Sequence, residues 1–336
     1  MPINIAPLIR RFFEQHLVAE RALSPHTILA YRDSIKLLLL FESKFLGKGC
    51  ENLALEDLSA DSIRKFLSDL ERQRHNGVRT RNARLAAIHT FFRYLASVDP
   101  RVISFCQAIL GIPFKRHARP VIDYLVRDEV MKVLRDVDTG TVTGRRDNAI
   151  LRVLYNTGAR AQEVVDINVF HVRFSRPYLV RLQGKGYKER TCPLWPDTMA
   201  AIKSYLRDRS TKPTDSTPLF LNRKGGRLTR FGLRYVVGRR VSNAAKKYPG
   251  LLTRKVGPHT WRHTTAMHLL QSGVDLNMIR SWLGHSSIET THGYVEIDLE
   301  MKQKTLQCCE KLLPRSNKTA PSWQRDAGIL KWLSAL

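Results

Sequence analysis

Apolar residues recur at helical spacing through most of the first hundred positions. In SPHTILAYRDSIKLLLLF (24–41), Ile28, Tyr31, Ile35 and Leu38 fall three or four apart, the period of one helix face. Ser24 is placed to cap the first turn. Pro25 follows at the first helical position, where its missing N–H has no partner to lose. LSADSIRKFLSDLERQR (58–74) repeats the design, with Ser59 as cap and Ile63, Phe66, Leu67 and Leu70 as the stripe. RTRNARLAAIHTFFRYLAS (79–97) puts Leu85, Ile88, Phe92 and Leu95 on one face. The pattern changes after a Pro-bounded basic stretch, GIPFKRHARPVIDYL (111–125), which reads as a boundary near residues 112–121. Beyond it, helical spacing is expected over 127–137, 144–157, 196–209, 229–247, 260–272 and 276–283, with Gly284 ending the last. Between these, RPYLVRLQGKGYKERTCPL (176–194) alternates at Tyr178, Val180 and Leu182 and then turns at GKG. That predicts a β-hairpin, with Pro193 on an edge. The expected class is mainly α with a small β-hairpin or sheet, an α+β chain.

Composition changes this picture mainly through charge. The 336 residues hold 56 Lys and Arg against 30 acids, a net charge of +26. Residues 1–112 carry 16 basic and 11 acidic groups, whereas 113–336 carry 40 and 19. From Ser216 to Val274 there are 12 Lys or Arg and no acid. A solvated face normally mixes signs, so this stretch points to a polyanionic partner, nucleic acid before a membrane surface. Arg79, Arg81 and Arg84 crowd the start of a helix, where cations oppose the dipole. Phosphate contact and a plain solvated face both account for them. No run of eighteen apolar residues exists, and MPINIAPLIRRFF does not read as a secretory signal. The five cysteines, Cys50, Cys106, Cys192, Cys308 and Cys309, make neither a disulfide framework nor a zinc pattern, so reduced thiols in a cytoplasmic protein are expected.

Four separated places concentrate reactive groups: NTGARAQEVVDI with Arg160, GKGYKER with Lys185, PHTWRH with His259 and Arg262, and GHSSIETTHGY with His285 and Tyr294. His259 and Arg262 stand at i, i+3 and would face one ligand, with the Arg fork suited to phosphate. A hairpin lysine between glycines can approach a ligand closely and serve as a general acid. A phenol is a weak nucleophile near neutrality, with a pKa of about 10, and surrounding cations would favour its phenolate. Each group also has a plainer reading: a surface arginine, a solubilising lysine, a half-buried tyrosine. His259 and His263 at i, i+4 have metal-ligand spacing as well, but that reading needs a third ligand.

The order Arg, Lys, HxxR, LGH, Tyr resembles the tyrosine recombinase (phage-integrase) family. TGARAQEV, GKGYKER, PHTWRH and WLGHSSIETTHGY stand for its boxes, with eight residues between His285 and Tyr294. LSPHTILAYRDSI and RLAAIHTFFRYL look like its helical N-terminal part. The resemblance implies a core-binding domain over 1–112, a linker over 113–121, a catalytic domain over 122–313 and a tail over 314–336. The two domains would form a clamp around double-stranded DNA. Tyr294 would attack the phosphodiester and leave a 3′-phosphotyrosyl link. Arg160 and Arg262 would brace the non-bridging oxygens, Lys185 would protonate the leaving 5′-oxygen, His259 would act as base and His285 would hydrogen-bond the phosphate. Glu163 would orient its neighbours. Arg79, Arg81, Arg84, Lys115, Arg116, Arg227, Arg230 and Arg234 are the expected DNA contacts. No cofactor or metal is implied. The tail helix GILKWLSAL would dock on a neighbouring copy in a tetramer on two paired sites, with a partner recombinase as a further possibility. A type IB topoisomerase-like enzyme and a non-catalytic DNA-binding protein on the same scaffold remain alternatives. Two departures stand out: Trp261 where the box usually has Leu, and Gly293 directly before Tyr294.

Overall fold

The computed structural model describes residues 3–116, 123–184, 188–209, 216–253 and 255–284, with Gly328, Lys331, Leu333 and Ala335. The chain divides into two units, Met1–Pro120 and Val121–Leu336. Among the described residues no helix is long and apolar enough to cross a membrane.

The described residues of the first unit are mainly helical. Helix α1 (Ile5–Arg11) runs into a π-helical stretch, Phe12–Glu20, followed by α2 (Pro25–Leu46), α3 (Ala60–Arg72), α4 (Val78–Val98) and α5 (Ile103–Leu110). The two serine caps form. Ser24 Oγ accepts from the Thr27 N–H at 3.3 Å, and Ser59 Oγ from the Ser62 N–H at 3.2 Å. Each serine oxygen satisfies one of the N–H donors that a helix start leaves unpaired. The stripes read from the sequence meet in one core, where Ile35, Leu38, Ile63, Phe66, Leu85, Ile88 and Phe92 are buried. Ile28 and Tyr31 pack at its margin.

The second unit opens with α6 (Arg127–Arg135), α7 (Val142–Thr157) and the short α8 (Ala161–Val165). Strands β1 (Val172–Arg173), β2 (Leu179–Gln183) and β3 (Glu189–Pro193) follow, and then α9 (Pro196–Arg207), α10 (Arg230–Ala245), α11 (Pro258–Gln271) and α12 (Leu276–Leu283). The expected hairpin is the β2–β3 pair, with Val180 opposite Cys192 and Leu182 opposite Arg190. The structure adds β1, giving an antiparallel sheet in the order β1-β2-β3. Two residues are too few for alternation to show, so β1 was invisible to a period-two reading. Pro193 lies on the outer strand, opposite Leu179, where its missing donor disturbs no further ladder. Leu151, Leu154, Val180, Leu182, Leu233, Val237 and Trp261 share the core. The indole of Trp261 is wholly buried, so the larger group in the HxxR box serves as core packing.

Candidate active site

Helix α7 ends at Gly158, whose φ of +58° is a left-handed value that glycine adopts without strain. A Cβ there would collide with Leu283 Cδ2, so close packing requires glycine too. The turn delivers Arg160 to the start of α8. Glu163, one turn on, accepts the Arg160 backbone N–H at 2.9 Å and its Nη1 at 2.7 Å. Its other partner is Arg190, whose Nη2 donates at 2.7 Å. Glu163 is 3% exposed. Burial alone would raise its pKa, but the bonds from Arg190 and Arg160 outweigh that, and the net shift is downward. The carboxylate is therefore ionised and aims Arg160.

Helix α11 contributes His259 and Arg262. Arg262, 4% exposed, donates from Nη1 to the Gly158 carbonyl and from Nη2 to the Leu283 carbonyl, both at 2.8 Å. Arg160 Nη2 donates to the Gly284 carbonyl at 3.3 Å, and Arg190 Nε to the Trp282 carbonyl at 2.9 Å. Three successive carbonyls at the end of α12 thus each receive a guanidinium from a different part of the chain. A helix end leaves these carbonyls without internal partners and carries the negative end of the dipole, so cations are favoured there. Gly284 closes α12 with a φ of +64°.

The His259 pKa lies below its ordinary value, first through partial burial and then through the charges of Arg262, Arg160 and Arg234. All four causes favour the neutral ring, which has a lone pair to accept a proton. The His263 pKa is pushed down to about 4 by burial, His259 and Arg262. Among the described residues no group of three or more His, Cys, Asp or Glu side chains gathers.

Lys185, His285 and Tyr294 lie outside the described residues. The residues immediately before two of them are described, and both sit at this cluster. A Cβ on Gly184 would lie 3.5 Å from Glu163 Oε1, and one on Gly284 would lie 3.1 Å from Arg190 Nη1. The sequence reading missed Arg190, although GKGYKER contains it. Strand parity was the available signal: Arg190 shares a face of β3 with buried Cys192.

The expected DNA contacts separate into two groups. Arg79, Arg116, Arg230 and Arg234 are exposed. Arg230 also lies 4.9 Å over the Phe231 ring. Arg81, Lys115 and Arg227 have partners within the protein, Lys115 and Arg227 while also exposed. Arg81, 6% exposed, donates to the Pro113 carbonyl at 3.1 Å, and so fastens the start of the linker to α4. Arg84 is half-buried. Lys115 pairs with Glu71 at 2.7 Å. Arg227 donates to the Val165 carbonyl at 2.8 Å and to Asn168 Oδ1 at 2.7 Å. The acid-free stretch is partly neutralised by acids that precede it in sequence. Asp147, fully buried, pairs with Arg146, Arg239 and Arg240 at 2.7–2.8 Å, and Lys247 pairs with Asp136 at 2.7 Å.

Residues 123–301 match the phage integrase family, and residues 9–98 match the phage integrase N-terminal SAM-like domain. The chain is 39% identical over 333 residues to "Putative integrase/recombinase y4rC" of Sinorhizobium fredii, covering 99% of this chain and 98% of that protein. It is 34% identical to the tyrosine recombinase XerC of Myxococcus xanthus, covering 90% and 96%. Among solved structures, the XerH recombinase on its palindromic difH substrate, a post-cleavage complex, superposes with a TM-score of 0.67. The identity is 22%, over 84% of this chain and 80% of that one. The Tn1549 transposon integrase with a circular intermediate DNA also gives 0.67, at 16% identity over 87% and 94%. At such identities these two likenesses speak for the fold.

Proposed function

This chain belongs to the phage integrase family, the tyrosine site-specific recombinases that cleave and rejoin DNA, and from that premise we propose how its own residues do so. The substrate is double-stranded DNA, contacted by both units. The Tyr294 phenol loses its proton to neutral His259 and attacks a backbone phosphorus. A 3′-phosphotyrosyl bond forms, and the bond to the 5′-oxygen breaks. Lys185 gives that oxygen its proton. Arg160 and Arg262 hold the non-bridging oxygens as negative charge grows on them, joined by a hydrogen bond from His285. A 5′-hydroxyl from a second duplex reverses the step and exchanges strands. The covalent link conserves the bond energy, so the cycle draws on neither ATP nor a metal.

One observation carries this reading. Arg160 and Arg262, far apart in sequence, both bond carbonyls at the end of α12, ten residues before Tyr294, and His259 lies one turn before Arg262 on α11. A neutral histidine among fixed guanidinium groups suits proton removal beside a phosphate. Exposed Arg79, Arg116, Arg230 and Arg234 would track the DNA backbone, so affinity would fall steeply with salt. The active assembly would be a homotetramer on two paired sites in the cytoplasm. Its contacts would come from the C-terminal helix, where Leu333 is helical and 55% exposed. The biological outcome would be integration, excision, transposition or dimer resolution, with or without a partner recombinase.

The test is covalent capture. The protein, in chelator, is incubated with nicked duplexes tiled from DNA flanking its gene, with Tyr294→Phe alongside. A denaturing gel should show an adduct with the unaltered chain and none with the variant. Salt-sensitive binding without any adduct would contradict the reading.

A further inference from the structure

Arg190 has no part in the chemistry set out above, yet three segments of the site meet at its side chain. It is 12% exposed, so little of it can reach a phosphate. One edge of its guanidinium donates to Glu163 Oε2 at 2.7 Å, and its Nε donates to the Trp282 carbonyl at 2.9 Å. Gly284 packs so closely on it that a Cβ would come within 3.1 Å of Nη1. Gly184, at the base of the β2–β3 hairpin, lies beside the same guanidinium, with its Cβ position 4.0 Å from Nη1.

We propose that Arg190 is a positioning residue for strand cleavage: it locks Glu163, and through it Arg160, to the end of α12. This rests on the strand-cleavage reading. Glu163 has two oxygens. One aims the Arg160 guanidinium, while the other is shared between the Arg160 N–H and Arg190. Without Arg190 the carboxylate is buried and short of a donor, and it can rotate toward Arg160 or away from it. The last turn of α12 loses a cap at the same time, and the chain leaves that turn toward His285 and Tyr294. One planar fork serves both partners. A lysine presents a single ammonium on a flexible stem and cannot hold both in fixed relation. Displacements of about 1 Å in a reacting group cost on the order of a hundredfold in rate.

A purely structural ion pair would affect stability and leave the chemistry of the folded protein alone. A DNA contact would affect affinity. The experiment therefore separates rate from affinity. Single-turnover cleavage at saturating DNA and the DNA Kd are measured for the unaltered chain, Arg190→Met, Arg190→Lys, Glu163→Gln and the Arg190→Met/Glu163→Gln pair. All are assayed where tryptophan emission is native. Arg190→Met should cleave about ten- to a hundredfold more slowly with Kd within about twofold. Arg190→Lys should recover only part of the loss. The double variant should be no slower than the slower single variant, because the two residues act through one linkage. If Arg190→Met does not fold, Arg190→Lys carries the test with the same split. Native rate in a folded Arg190 variant, a loss confined to Kd, or additive losses would overturn the assignment. An unaltered chain that forms no adduct would overturn the strand-cleavage reading itself, and this inference with it.

Discussion

Gly158→Ala perturbs the site without touching a reacting group. Two costs can be assigned. At φ of +58° an L-residue is strained by about 1–2 kcal/mol. The new methyl would also overlap Leu283 Cδ2 and lie 3.4 Å from the Thr265 side chain. Leu283 is fully buried with Ala266, Met267, Leu270 and Ile279, so it has little room to yield, and overpacking adds about 1–3 kcal/mol. The total is roughly 2–5 kcal/mol. Gly273→Ala is the control. Its φ is +80°, but nothing lies within 4 Å of where its Cβ would stand, so only the strain applies, about 1–2 kcal/mol. Urea unfolding followed by tryptophan fluorescence measures both variants, since all five tryptophans lie in the second unit. Moving Leu283 also moves the carbonyl that holds Arg262, so Gly158→Ala should slow DNA cleavage more than Gly273→Ala. Equal stability of the two variants would refute the packing argument.

Three further outcomes are expected. Asp147→Asn leaves Arg146, Arg239 and Arg240 around a neutral amide in a buried site, and should destabilise the second unit by about 3–5 kcal/mol in the same urea assay. Arg160→Lys removes a fork that holds both Glu163 and the Gly284 carbonyl, and single-turnover cleavage should fall roughly a hundred- to a thousandfold. His263 has a folded pKa of about 4 against an ordinary 6.5, so between those values the unfolded chain binds the proton and the folded one does not. Its contribution is intact above pH 6.5 and is lost as pH falls toward 4, by up to about 1.4 kcal/mol per pH unit. His263→Gln should flatten that acid loss in urea titrations, leaving the part due to His259 and His268, whose pKa values are also lowered.

Local signals carried much of the fold. Helix α12 runs over Leu276–Leu283, the range expected from its spacing and its glycine stop. Ser24 and Ser59 cap where a serine before an apolar stripe should cap. What stayed hidden depended on long-range partners. Nothing near Arg239 and Arg240 in sequence reveals that both pair with Asp147. Arg81 and Arg227 look like surface cations in a basic protein, yet both bind backbone carbonyls. Arg190 was legible in part, because strand parity turns it inward, but its bridge from Glu163 to α12 requires three segments to be in place. No apolar stripe was assigned to Phe12–Glu20, whose π-helical turns depart from the 3.6-residue period.

The most direct measurement is to digest the trapped protein–DNA adduct with protease and sequence the DNA-linked peptide by mass spectrometry. One modified peptide is expected, carrying the nucleotide through a 3′-phosphate on Tyr294. A link to any other residue, or a 5′-phosphate at the junction, would contradict it.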